Sequence, residues 1–110
     1  MSDRELLELA AKAAGIETKS DERGLMTRTA GPFQVPWNPL QNDHDALRLA
    51  VKLRIMLNRE INCGCDIVEA IGPEDDNMSC HCSTESIEGD PYAATRRAIV
   101  RAAAEIGRSM

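Results

Sequence analysis

Four cysteines are the residues of this chain whose type and spacing first suggest chemistry. They form two Cys-x-Cys pairs, Cys63 with Cys65 and Cys80 with Cys82. Apolar and polar residues alternate around each pair, which predicts two β-strands. A symmetric hairpin would place Cys63 opposite Cys82 and Cys65 opposite Cys80. Because side chains two apart on a strand share a face, this register would gather all four thiols on one patch.

Three interpretations of this patch are open. Four thiolates could hold a tetrahedral zinc ion, or oxidation could join the facing pairs as disulfides. We favour the third, buried free thiols without a cofactor, because Ile61, Ile67 and Met78 share the predicted face and free cysteine is often buried. Reactive thiolates need neighbouring positive charge, and residues 60–90 supply none, so we do not expect redox catalysis.

A row of arginines near the C-terminus is the second candidate site. Arg97, Arg101 and Arg108 recur at helical spacing, with Arg96 at the edge of the same face. Such a face could contact nucleic-acid phosphates through Arg96, Arg97 and Arg101. We favour a solvated face that offsets acidic charge, because the net charge is −5 and aromatic residues are absent from this face.

The acidic charge is concentrated in one segment. All thirteen Lys and Arg residues lie outside Glu60–Asp90, which carries half of the eighteen acidic residues. Such a segment repels nucleic-acid backbones and attracts a basic partner surface, in the same molecule or across a dimer.

No arrangement of residues indicates an enzyme. Asp43-His44-Asp45 could suggest a metal site or an oriented base, but neighbouring side chains at a helix start diverge, and acidic residues there suit the helix dipole. Residues 74–77 lack the ordered ligand spacing of a calcium loop. The chain has no nucleophile motif, phosphate-binding glycine loop or His-Glu-x-x-His motif. We therefore predict a non-enzymatic protein without catalytic residues.

Three helices are expected to position these groups, at about 3–14, about 43–58 and about 91–106. The capping residues that indicate their ends are Ser2, Gly15, Asn42, Asp90 with Pro91, and Gly107. Two hairpins are predicted between the helices, around the turns 19–24 and 72–77. The proline-rich residues 30–42 exclude a helix or a central strand, and we expect Phe33 and Trp37 to pin this loop to the core.

These elements predict an α+β fold of order α-β-β-α-β-β-α. A small antiparallel sheet packs against helices, in one domain that spans residues 1–110. The residues expected in the core include Leu47, Val51, Ile67, Ile99 and Ile106.

Two stretches of the sequence resemble a known family. Trp37-Asn38-Pro39-Leu40 with Asp43–Leu53, and Asp90–Ala103, resemble small uncharacterised phage and prophage proteins of the NinX-like group. With the opening helix, the likeness touches roughly half the chain; it does not include the four cysteines. The resemblance implies a bacterial host cytoplasm and an accessory role in phage biology, and it carries over no catalytic residues.

Taken together, these features favour a protein-binding module. No apolar run approaches the roughly 20 residues that span a bilayer, and the N-terminus lacks the layout of a signal peptide, so we expect a cytoplasmic protein without a membrane partner. The expected partner is another protein or a second copy of the chain in a homodimer. Nucleic-acid binding through the arginine row is the first alternative, and a four-cysteine, zinc-stabilised regulatory module is the second.

Overall fold

The described part of a computed structural model covers residues 2–20, 26–62, 65–74, 80–86 and 89–110. Within its strands, the side chains of residues 60–62, 65–66, 74, 80–84 and 86 lie outside this description. The elements are α1 (Asp3–Ala14), β1 (Thr18–Ser20), β2 (Met26–Ala30), β3 (Phe33–Pro36), α2 (Asp43–Leu53), β4 (Met56–Asn62), β5 (Cys65–Glu74), β6 (Cys80–Ser86) and α3 (Pro91–Arg108). This content confirms the predicted α+β class and adds one strand to each predicted hairpin.

Both ends of α1 are capped as the sequence predicts. The Ser2 hydroxyl accepts a hydrogen bond from the Glu5 backbone N–H at 3.2 Å. Gly15 follows the helix with a φ of 69°, a left-handed conformation that glycine adopts without steric cost. The Gly15 and Ile16 N–H groups then donate to the carbonyls of Lys12 and Ala11, which completes a Schellman motif.

β1, β2 and β3 form the first antiparallel sheet, in that order. β1 and β2 confirm the predicted first hairpin, whereas β3 lies where we expected an irregular loop. Pro36 is accommodated because β3 is at the edge of the sheet, where a missing N–H costs no ladder hydrogen bond. Trp37 is buried as expected, and its backbone N–H donates to the Met26 carbonyl at 3.0 Å. Phe33 is mostly exposed, so its predicted role in the core is wrong.

The second helix is shorter than predicted. It ends at Leu53 rather than near residue 58, because Arg54 takes a left-handed conformation with a φ of 57°. The Arg54 and Ile55 N–H groups donate to the Val51 and Ala50 carbonyls, the same Schellman pattern that ends α1. The chain then enters β4 at Met56.

The second sheet has the order β4-β5-β6, and its register corrects the predicted cysteine hairpin. Cys65 lies opposite Asn62 on β4, while Cys82 and Cys80 lie opposite Ile71 and Glu74 on β5. The predicted pairing of Cys65 with Cys80 is therefore wrong. β5 also runs through Gly72 and Pro73, where the sequence predicts a turn. Cys63, Met78 and residues 21–24 of the first predicted turn lie outside the described residues.

α3 is the element on which both halves of the chain pack. It begins at Pro91 after the predicted Asp90 N-cap and continues through Gly107 to Arg108, slightly beyond the predicted end. It contacts α1, α2, β5 and β6. Its buried face consists of small and branched residues, namely Ala98, Ile99, Val100, Ala102, Ala103, Ala104 and Gly107.

The backbones of α1 and α3 approach each other closely, which explains why small residues lie between these helices. A Cβ added to Gly107 would overlap the Leu9 carbonyl oxygen and lie 2.9 Å from the carbonyl carbon. Ala10, Ala11 and Ala14 of α1 are also buried. The two helices pack backbone to backbone at this end, and that fixes α1 relative to α3.

The predicted core is correct in part. Ile99 is buried, and Ile67 and Ile106 are partly buried. The prediction that Leu47 and Val51 lie in the core is wrong, because both side chains are mostly exposed to solvent. None of the described helices is both long and apolar enough to cross a bilayer.

Candidate functional site

α2 carries apolar side chains on two opposite sides. Leu49, which is 2% exposed, and Ala50 face the core, whereas Leu47 and Val51 are 63% and 70% exposed. At 3.6 residues per turn, Leu47 and Val51 are four apart and stand one above the other. The helix thus presents an exposed apolar row on the side away from the core.

This row forms one wall of a groove of about 830 Å³. We call it the α2 groove. Its residues come from the end of α1, from β2 and from α2: Ala14, Gly15, Ile16, Glu17, Arg28, Thr29, Trp37, His44, Asp45, Leu47, Arg48, Leu49, Val51 and Lys52. Clefts of roughly 300–1,000 Å³ are typical of ligand sites, so this one is large enough to receive several side chains of a partner.

A buried carboxylate fixes the start of α2 against the groove floor. Asp45 is buried, and its Oδ2 accepts a hydrogen bond from the Asn38 N–H at 3.0 Å. The Asp45 N–H in turn donates to the Asn42 side chain at 3.1 Å, as the predicted N-cap requires. Because Trp37 immediately precedes Asn38, this bond joins the helix to the indole that lines the groove. The predicted cap therefore also positions the site.

The groove has a cationic rim formed by Arg28, Arg48 and Lys52. Among the described residues, neither Arg28 nor Lys52 forms a salt bridge. The Arg48 Nε lies 3.3 Å from the Nε2 of His44, which is not a carboxylate. The lining also contains two acidic residues, but Asp45 is buried and already accepts a hydrogen bond. The exposed rim thus carries more positive than negative charge, in a chain whose net charge is −5.

Three arginines of α3 behave differently, because carboxylates from other elements neutralise Arg96, Arg97 and Arg101, while Arg108 pairs with Glu105 of the same helix. Arg96 donates to Asp43 at 2.6 Å and to the Leu40 carbonyl at 2.9 Å. Its side chain is only 16% exposed. This cation ties α3 to the loop before α2 and to the start of that helix.

Arg97 and Arg101 share one carboxylate. Arg101 lies 2.6 Å from Glu85 of β6, and Arg97 lies 3.9 Å from Glu85 and 3.0 Å from Asp3. Glu85 belongs to the acidic segment, so the predicted offset of acidic charge by these arginines occurs within one molecule. Phosphate binding here would have to displace these contacts, and the geometry therefore gives the nucleic-acid alternative little support.

The three residues of Asp43-His44-Asp45 point to different neighbours. Asp43 pairs with Arg96, His44 contacts Arg48, and Asp45 binds the Asn38 backbone. They do not converge on a common point, which agrees with their interpretation as residues of a helix start.

The side chains of all four cysteines lie outside the described part of the structure, so their burial is not described. The strand register nevertheless tests whether the cysteines can come together around a zinc ion. Cys65 and Cys82 are separated by six positions along β5, or about 20 Å at the usual rise per residue. Zinc–sulfur bonds of about 2.3 Å cannot span that distance, so one ion cannot bind both Cys65 and Cys82. The predicted facing pair of Cys65 with Cys80 does not form either, whereas the other predicted pair involves Cys63, which lies outside the described residues. Among the described residues, no three or more His, Cys, Asp or Glu side chains are grouped so that they could hold a metal ion.

The sequence analysis did not predict the α2 groove. A signal was present, because Ala46, Leu47, Leu49, Ala50, Val51 and Leu53 cover an arc of about 200° of the helix surface, about twice the width of an ordinary apolar stripe. A helix at a protein surface usually has one polar face. The second apolar row of α2 was thus visible, but the pattern alone does not say which row faces the core.

Comparison with known proteins yields no match, neither to a protein-family model nor to a curated protein or a solved structure. The resemblance to small phage and prophage proteins consequently stays a prediction.

Proposed function

We propose that this protein is a non-enzymatic protein-binding module that receives its partner in the α2 groove. The observation that carries the proposal is the exposure of Leu47 and Val51 on a helix whose opposite side is fully packed. Two neighbouring apolar side chains in solvent beside a concave surface are typical of protein-binding sites. The phage-like sequence resemblance adds the proposal that the partner belongs to a bacterial host or its phage.

The exposed row is large enough to matter for affinity. Complete burial of a Val or Leu side chain is worth about 1.5–3 kcal/mol. Because roughly two thirds of Leu47 and Val51 is still exposed, covering both would contribute about 2–4 kcal/mol. That corresponds to about 30-fold to 700-fold in affinity, the contribution expected of a binding hot spot.

Photo-crosslinking in living bacterial cells tests the proposal. A photoreactive amino acid replaces Val51, and the matched control carries it at Tyr92, which is also 70% exposed but does not line the groove. We expect position 51 to capture a defined protein that position 92 does not. The crosslink should disappear when Leu47→Asp is added, and it should persist when Phe33→Asp is added instead.

The contrary result is equally clear. If position 51 captures nothing beyond what position 92 captures, or if Leu47→Asp leaves the captured species unchanged, the groove is not a protein-binding site.

A further inference from the structure

We infer that the occupant of the α2 groove is an acidic amphipathic helix of a different protein, with an apolar face for Leu47 and Val51 and carboxylates for the cationic rim. This inference rests on the proposed function and specifies the chemistry of the partner. Its basis is the arrangement of charge around the apolar row.

Charge complementarity with the groove indicates a partner that carries negative charge. Arg48 and Lys52 lie on α2 beside the apolar row, and Arg28 faces them from β2. Arg28 of β2 is partly exposed and lines the groove from the sheet. Cations on both sides of an apolar groove favour a ligand that carries negative charge along both edges of its apolar face.

A second copy of the chain fits this groove poorly. Most homodimers are two-fold symmetric, and their interfaces bring the same patch of each subunit together. A groove-to-groove dimer would bring the two cationic rims, each with Arg28, Arg48 and Lys52, against each other. Repulsion between like charges would oppose that contact, whereas an acidic partner would relieve the excess positive charge.

The spacing on α2 favours a helical ligand. Leu47 and Val51 stand one turn apart, and a partner helix offers side chains at the same interval from positions three or four apart. Amphipathic helices recognised in grooves bind in this way, with a few apolar side chains as anchors. The basic residues of the rim then contact the carboxylates that flank those anchors.

Two synthetic amphipathic helical peptides test the inference. Both have the same leucine face, and their remaining positions carry either glutamate or lysine. Each is titrated into isotope-labelled protein while the indole N–H resonance of Trp37 is followed by NMR. Trp37 is the only tryptophan in the chain and lines the groove, so its indole signal has no overlap with another.

We expect the glutamate peptide to bind at least about tenfold more tightly than the lysine peptide at low salt, with a difference that shrinks as salt rises. The variant Arg48→Glu/Lys52→Glu should reverse the preference. The matched control is Lys12→Glu/Lys19→Glu, which changes the net charge equally at exposed positions outside the groove. This control should keep the preference for glutamate.

The outcomes separate this inference from the proposed function. If neither peptide binds, if the lysine peptide binds as well, or if the control reverses the preference, the acidic-helix inference is wrong. A crosslink from position 51 would still support a protein-binding groove in those cases. Sedimentation that shows a dimer of the free chain, dissociated by Leu47→Asp/Val51→Asp, would also overturn the inference, in favour of self-association.

Discussion

Alanine substitution at two neighbouring leucines of α2 tests the arrangement of this helix. Leu49 is 2% exposed, so Leu49→Ala removes a fully buried side chain, which typically costs about 2–5 kcal/mol. Leu47 is 63% exposed, so only about a third of its burial energy can be lost, or about 0.5–1 kcal/mol. The higher helix propensity of alanine offsets a small part of that cost.

Thermal unfolding of the two variants, with urea unfolding alongside it, measures this difference. At about 4 °C per kcal/mol for a domain of this size, Leu49→Ala should lower Tm by about 8–20 °C and Leu47→Ala by about 4 °C or less. Equal m-values for both variants and the parent would show that the changes report stability rather than a different unfolded state. A loss for Leu47→Ala as large as that for Leu49→Ala would mean that the outer row of α2 is buried, and the groove would then not exist.

Four further substitutions test the helix caps, the packing and the charge network, each followed by a single measurement. Arg54→Gly should raise the free energy of unfolding by up to about 1 kcal/mol, and Gly15→Ala should lower it by about 1 kcal/mol, because both positions have a positive φ. Denaturant titrations in which Arg54→Gly destabilises the chain or Gly15→Ala stabilises it would refute the left-handed cap at that position. Gly107→Ala should destabilise the chain by about 1–3 kcal/mol, because the new Cβ overlaps the Leu9 carbonyl; an unchanged Tm would contradict the close α1–α3 contact. Glu85→Gln should delay elution from heparin, because it frees Arg101 and leaves Arg97 with Asp3 alone; identical elution would show that Glu85 does not limit the access of phosphate-like groups to these arginines.

Local signals account for what the sequence predicted well. The caps at Ser2, Gly15, Asn42 and Asp90 each act within a few residues, so their effect can be derived without knowing the fold. Pro91 likewise indicates the first turn of α3 because its missing N–H has no partner there. The number and order of the helices follow from these positions.

The end of α2 shows where local reasoning fails. α1 and α2 end in the same hydrogen-bond pattern, but the first uses glycine and the second uses Arg54 in the left-handed conformation. Arginine carries no preference for that conformation, and the apolar Met56 and Leu57 that follow continue a helical pattern. The pattern therefore predicts helix for residues 56–58, which form the first part of β4, and it does not predict the pairing of β4 with β5.

The cysteine register was wrong for a related reason. Strand pairing depends on where the chain reverses, and a symmetric hairpin about residues 72–77 was only one choice. The structure continues β5 through Pro73 and pairs it with β4 on one side and β6 on the other. A shift of a few residues moves every cross-strand neighbour, so the facing of cysteines could not be derived from alternation alone.

The orientation of α2 depends on contacts far away in the sequence. Arg96 binds Asp43 and the Leu40 carbonyl, and the Asn38 N–H binds Asp45. These contacts turn Leu49 toward the core and leave Leu47 outside. Periodicity identifies two apolar rows on this helix, but only tertiary packing selects between them.

Hydroxyl-radical footprinting of the isolated chain, read by mass spectrometry at single residues, tests the central claim most directly. We expect Leu47 and Val51 to be labelled and Leu49 to be protected, and we expect the labelling of Leu47 and Val51 to fall when the glutamate peptide is added. If Leu47 and Val51 are as protected as Leu49 in the free monomer, α2 has no exposed apolar row and the account of a partner-binding groove is contradicted.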